Sequence, residues 1–137
     1  VGALTLSVEP LKLRSTKGDV HFGLAHSFRM VEEAPKVWHV STVAYDYRLD
    51  DADGRELISW HWHPTPLPGV DFPHLHVSSS ALDRHAHIPT GRVSIESILR
   101  LLLTDFGVHP TREHRTDYLD VLDASEQLFV DHRRWHA

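Results

Sequence analysis

The chain has no cysteine. Disulfides, thiolate nucleophiles and cysteine-ligated zinc are therefore excluded, and the redox compartment goes unreported. No apolar run approaches the roughly 20 residues that cross a bilayer as a helix, so no membrane partner is expected. No signal-peptide pattern opens the chain, which sets a cytoplasmic location as the expectation. Lysine is scarce, 3 residues against 11 arginines, and no uniformly basic surface of the nucleic-acid-binding kind is present. The Gly-rich loop ending in Gly-Lys-Ser/Thr, the Gly-x-Gly-x-x-Gly turn and the Gly-x-Ser-x-Gly elbow are all absent, which argues against P-loop hydrolysis, dinucleotide redox chemistry and elbow-type serine hydrolysis. The helical zincin motif His-Glu-x-x-His is missing too.

Histidine is the residue in excess. There are 13 in 137 residues, and protonating all of them would carry the formal charge from −5 to +8. Two His-x-His pairs, His61/His63 and His74/His76, flank a loop holding Pro64, Pro66, Pro68, Gly69 and Pro73, and a third pair, His85/His87, follows. Alternate residues of a strand share a face, so each pair aims both imidazoles the same way.

The first two-thirds of the chain has period two. Leu4, Leu6 and Val8 alternate with polar residues, and Leu11 and Leu13 continue the pattern past Pro10, as an edge or bulged strand would. After a turn at 16–19, Val20, Phe22, Leu24, Phe28 and Met30 mark one face of a long strand. Residues 33–36 break it, and 37–49 form the next. Asp53-Gly54 suits a two-residue type I′ hairpin. Centred there, paired numbers sum to 107: Leu49 faces Ile58, Tyr47 faces Trp60 and Tyr45 faces Trp62, while Asp46 lies across from His61 and Ala44 from His63. A one-residue slip would set aromatic residues against polar ones. A strand over about 74–79 that adds Leu75 and Val77 to the tryptophan face brings His74 and His76 beside His61, His63 and Asp46.

Helical spacing follows. Ser94 is an N-cap for a helix carrying Ile95, Ile98, Leu99, Leu102, Leu103 and Phe106, with Gly107 at C′. A second helix is expected over about 115–135. The reading is one α+β domain, 1–137: an antiparallel β meander of about five strands followed by two C-terminal helices packed on one face, which covers the aromatic side and leaves the histidines open.

Two chemistries fit the histidine face. Asp46 beside His61 orients an imidazole for acid–base work, with His63, His74 and His76 as partners. Such a set can cleave RNA through the substrate's own 2′-hydroxyl, with no metal or other cofactor required, and Arg84 and Arg92 are the candidate phosphate holders. Alternatively, His61, His63, His74 and His76 bind zinc, or two histidines with Asp46 or Asp71 form an iron site, in a non-catalytic metal- or protein-binding module. A structural subunit with incidental histidines is the third reading. His132 and His136, spaced i, i+4, read as favourable cations at a helix C-terminus.

Tyr45-Asp46-Tyr47, a hairpin, Trp60-His61-Trp62-His63-Pro64 and then Phe72-Pro73-His74-Leu75-His76-Val77 resemble the TumE family, small bacterial toxin components of toxin–antitoxin modules. The resemblance spans roughly residues 40–105. It implies a toxin acting on RNA or translation, partnered by an antitoxin protein, and carries over first to His74 and His76 and then to His63. The chain departs from the family in reading His-Trp-His-Pro where Asp-Asn before Pro-His-His is usual, and in a later His cluster one residue longer. The N-terminal strands and final helix fall outside the match.

Overall fold

The computed structural model describes residues 2–5, 9–63, 70–83, 86–111 and 117–132. Leu6, Val8, residues 64–69 of the proline loop, Arg84, His85, His114 and residues 133–137 lie outside the described residues. The chain forms an α+β fold in two compact units, Val1–Leu13 with Asp19–Arg92, and Arg14–Gly18 with Val93–Ala137.

The first unit is an antiparallel sheet. Its strands are β1 (Gly2–Thr5), β2 (Leu11–Leu13), β3 (Val20–Ala34), β4 (Val37–Asp50), β5 (Glu56–Trp62), β6 (His74–Val77) and β7 (Ile88–Pro89). They are ordered β1-β3-β4-β5-β6-β7, with β2 also on β3. The described residues thus hold seven strands where about five were expected. Two differences account for this. Pro10, which has no N–H to give a ladder, stands between β1 and β2 where one strand was expected. The two-residue β7 pairs with β6, Leu75 facing Ile88 and His74 facing Pro89, and is too short for a periodicity to reveal.

The expected pairing of β4 with β5 is present. Tyr45 faces Trp62, Asp46 faces His61, Tyr47 faces Trp60 and Leu49 faces Ile58. The turn that produces it is different. Only Gly54 of the Asp53-Gly54 pair has positive φ, at 77°, whereas type I′ needs it at both positions. Instead Gly54 N–H donates to the Asp51 carbonyl at 3.0 Å and Asp51 N–H donates to the Arg55 carbonyl at 2.8 Å. This is the three-residue hairpin that ends in a left-handed glycine. The Asp51 carboxylate accepts the N–H groups of Asp53 and Arg55, each at 2.9 Å, which holds its pKa below the ordinary aspartate value. The longer turn shifts the register by one, and a second irregularity between Leu49 and Asp50 shifts it back.

The apolar face of this sheet is aromatic. Tyr45, Tyr47, Leu49, Trp60 and Trp62 are buried beside Val20, Phe22 and Leu24. Tyr45 and Tyr47 stack with centroids 4.8 Å apart. Tyr47 Oη lies 2.6 Å from His26 Nδ1, whose other ring nitrogen meets Thr42 Oγ1 at 3.2 Å. Burial of each such side chain contributes about 1.5–3 kcal/mol. Met30 was expected on this face but is exposed, with Trp38 and Val40; β1 ends its pairing at Phe28, so the distal β3–β4 hairpin runs on beyond it.

In the second unit, α1 (Ile95–Thr104) precedes α2 (Tyr118–His132). Ser94 caps α1, its hydroxyl accepting from Ser97 N–H at 3.0 Å. The same hydroxyl donates to Glu126 of α2 at 2.9 Å, and Ser97 also donates to Glu126. These bonds hold the Glu126 pKa below the ordinary value. Arg100 pairs with Asp123 and Glu126, and Ile98 and Leu102 are buried. Residues 14–18 fold back on the chain after α1: Thr16 N–H donates to Gly107 O at 3.1 Å and His109 N–H to Arg14 O at 3.0 Å. Among the described residues, no helix is long and apolar enough to cross a membrane.

Candidate metal centre

Strand alternation and register build the site. With Tyr45, Trp60 and Trp62 buried on one face, Asp46 and His61 must project from the other. His61 faces His74, and Ser59 faces His76, across β5–β6. One row across the sheet therefore reads Asp46, His61, His74, and the next reads Arg48, Ser59, His76. His63 extends β5, and His87 precedes β7 beside β6.

The rings form a continuous cluster. His61 lies 5.8 Å from His63, 5.6 Å from His74 and 5.2 Å from His76, centroid to centroid. His74 and His76 are 5.2 Å apart, and His87 closes the group at 4.7 Å from His74 and 4.8 Å from His76. Two sets of ligand atoms emerge, His74/His76/His87 and Asp46/His61/His63, each with its atoms within 4.8 Å of one another. His74 is buried, His61 and His76 partly so, and His63 and His87 are exposed, so one side of the cluster is open to solvent.

Hydrogen bonds fix two of the rings. His74 Nδ1 is 3.0 Å from the Phe72 carbonyl oxygen. A carbonyl only accepts, so Nδ1 carries a proton, and in the neutral tautomer this selects, Nε2 is the ligating nitrogen. His61 Nε2 is 3.0 Å from the hydroxyl of buried Ser59, and its Nδ1 faces Asp46 Oδ2 at 3.6 Å.

The electrostatics favour the neutral form of His61 and His76. Burial lowers the pKa of His61, Asp46 opposes this, and His74 and His63 add to the lowering. Burial likewise lowers His76, reinforced by His61, His87 and His74. The cause is the same for both: each of these two rings, once protonated, would face like charge in a partly desolvated place. Neutral imidazole is the form that ligates metals.

The structure thus gathers Asp46, His61, His63, His74 and His76, as the register implied, and adds His87 and Ser59. His87 was legible as the third His-x-His pair, but nothing in its local pattern told which face it joined. Arg92 is elsewhere. Its guanidinium stands 3.8 Å from the Trp62 ring centroid, and Trp62 alternates to the face opposite His61 and His63. It packs as a cation on an aromatic ring, away from the histidines for which it was a candidate phosphate holder. Asp71 is exposed and belongs to neither ligand set.

Comparison with protein-family models, with curated proteins and with solved structures returned no match.

Proposed function

We propose that this protein is a metal-binding module whose sheet face holds a divalent transition metal, zinc first, through His74, His76 and His87. One observation carries the reading: three imidazoles from β6 and the approach to β7 bring ligand atoms within 4.8 Å of one another. Two nitrogens bound at about 2.0–2.1 Å to a tetrahedral ion stand roughly 3.3–3.4 Å apart, and modest side-chain rotation covers the difference. The Phe72 carbonyl on His74 Nδ1 is the outer partner that metal-binding histidines use to fix their tautomer. Three protein ligands leave a fourth position for water or another ligand, the pattern of exchangeable and catalytic zinc.

The test is calorimetric titration of zinc into untagged protein stripped with chelator. Binding tighter than micromolar is expected, weakened at least tenfold by His87→Ala. No zinc uptake, or unchanged affinity in that variant, overturns the reading.

A second reading rests on the Asp46–His61 pair, 3.6 Å apart. Here the carboxylate orients the ring for metal-independent acid–base cleavage of RNA, in line with the toxin-like resemblance and an antitoxin partner. It requires RNA cleavage that persists in chelator and disappears in His61→Gln, and growth arrest on expression that the His74→Ala/His76→Ala double variant relieves. Folded variants that match the native chain in both assays would refute it.

A further inference from the structure

Resting on that metal-binding reading, we infer that Asp46, His61 and His63 form a second divalent-metal position, making the histidine face a two-metal centre. Three independent features support it. First, the residues form a separate ligand set with no member in common with His74/His76/His87. Second, the 3.6 Å between His61 Nδ1 and Asp46 Oδ2 is long for an N–H···O bond, which runs to about 3.2 Å. It is close to the roughly 3.3–3.4 Å that separates two ligand atoms on one tetrahedral ion. Third, the Ser59 hydroxyl sits on the far nitrogen of His61 at 3.0 Å. In the tautomer whose Nε2–H donates to this hydroxyl, the Nδ1 lone pair faces Asp46, the orientation a ligand needs. Ser59 is almost wholly buried, so this hydroxyl is held in place.

The two positions differ in chemistry. The first has three neutral donors. The second has two imidazoles and one carboxylate, which suits zinc, iron or manganese and lowers the net charge of the occupied site. That charge matters because the ring contacts of His61 with His74 and His76, at 5.6 and 5.2 Å, put the two sets side by side. An ion in the first position repels an ion in the second, so loading proceeds in two steps, the second weaker.

The experiment is zinc titration of the stripped, untagged chain by calorimetry, with bound metal counted by atomic emission after gel filtration. The native protein is expected to take two equivalents in two steps. Asp46→Ala/His63→Ala, which changes two solvent-reached side chains, is expected to lose the second step at least tenfold and keep the first; the retained first step also shows that the variant is folded. His87→Ala is expected to weaken the first step. Saturation at one equivalent, lost in His87→Ala, overturns the second position and leaves the first standing. Two equivalents undiminished in Asp46→Ala/His63→Ala overturn the assignment of its ligands. No uptake at all overturns both.

Discussion

Metal-free protein should lose stability as the pH falls through the histidine range, and two rings should contribute to that loss. His61 and His76 both have pKa values below the ordinary histidine value of 6.5, chiefly because burial penalises their charged forms. As the pH drops through 6.5, the unfolded chain takes up these protons first. Stability then falls until the pH is below the folded values, where both states are protonated and the loss is complete. Their contribution is therefore fully present above 6.5 and is lost between 6.5 and the lower folded pKa values. Within that window each histidine changes stability by about 1.4 kcal/mol per pH unit at most, so the pair sets a ceiling near 2.7 kcal/mol per pH unit. The His61 side chain is only 19% exposed, so its share is the firmer; stability is expected to rise with pH across this window with a slope below that ceiling. Urea unfolding at pH 7.5, 6.5 and 5.5, with chelator present, measures it. His61→Gln/His76→Gln removes the two titrating rings, and the difference between the two slopes isolates them from every other group. Parallel slopes for the native chain and the variant, or a native chain that gains stability on acidification relative to the variant, would refute the electrostatic account of the cluster.

Other consequences follow from local geometry. Tyr47→Phe deletes the hydroxyl that meets His26 at 2.6 Å in a fully buried position; a loss of about 1–3 kcal/mol is expected by urea unfolding. At Gly107, φ is +63° and an added Cβ would collide with the Thr16 side chain. Gly107→Ala should cost at least about 1–2 kcal/mol for the left-handed backbone alone. Gly91→Ala meets nothing within 4 Å and should stay within about 0.5 kcal/mol of native; equal thermal midpoints for the two variants would sink this reasoning. Ser94→Ala removes the cap of α1 and the bond to Glu126, and should lower stability by about 1 kcal/mol, seen as a lower thermal midpoint.

The legible parts of the fold were those governed by short-range rules. Alternation on β4 and β5 separated Tyr45, Tyr47, Trp60 and Trp62 from Asp46, His61 and His63, because a pleated strand leaves only two faces. Ser94 announced α1 because few residues satisfy the free N–H groups of a first turn. What the chain did not disclose depended on distant partners. The short β7 exists because β6 offers it a ladder, and its two residues carry no period of their own. Arg92 stands near the histidines in sequence, yet Trp62 takes its guanidinium. His87 joins the cluster through that β6–β7 pairing, which brings its ring to 4.7 Å from His74.

The hairpin between β4 and β5 shows why the site could be right when its turn was wrong. The left-handed Gly54 builds a three-residue loop, which displaces the pairing by one residue. Left uncorrected, that displacement would turn His61 and His63 toward the aromatic face and the tryptophans toward solvent. Burying the imidazoles there would cost desolvation, and exposing Trp60 and Trp62 would forfeit about 1.5–3 kcal/mol each. The irregularity between Leu49 and Asp50 restores the register before Tyr47 and Trp60 are reached. The apolar face therefore selects the register, and the histidine face inherits it. His74 and His76 receive the same instruction one strand later, since Leu75 must face Trp60. The histidines are aligned by residues on the opposite face, so substitutions on the tryptophan face that loosen the register should disperse the histidine cluster, and with it the proposed metal site, before they unfold the sheet.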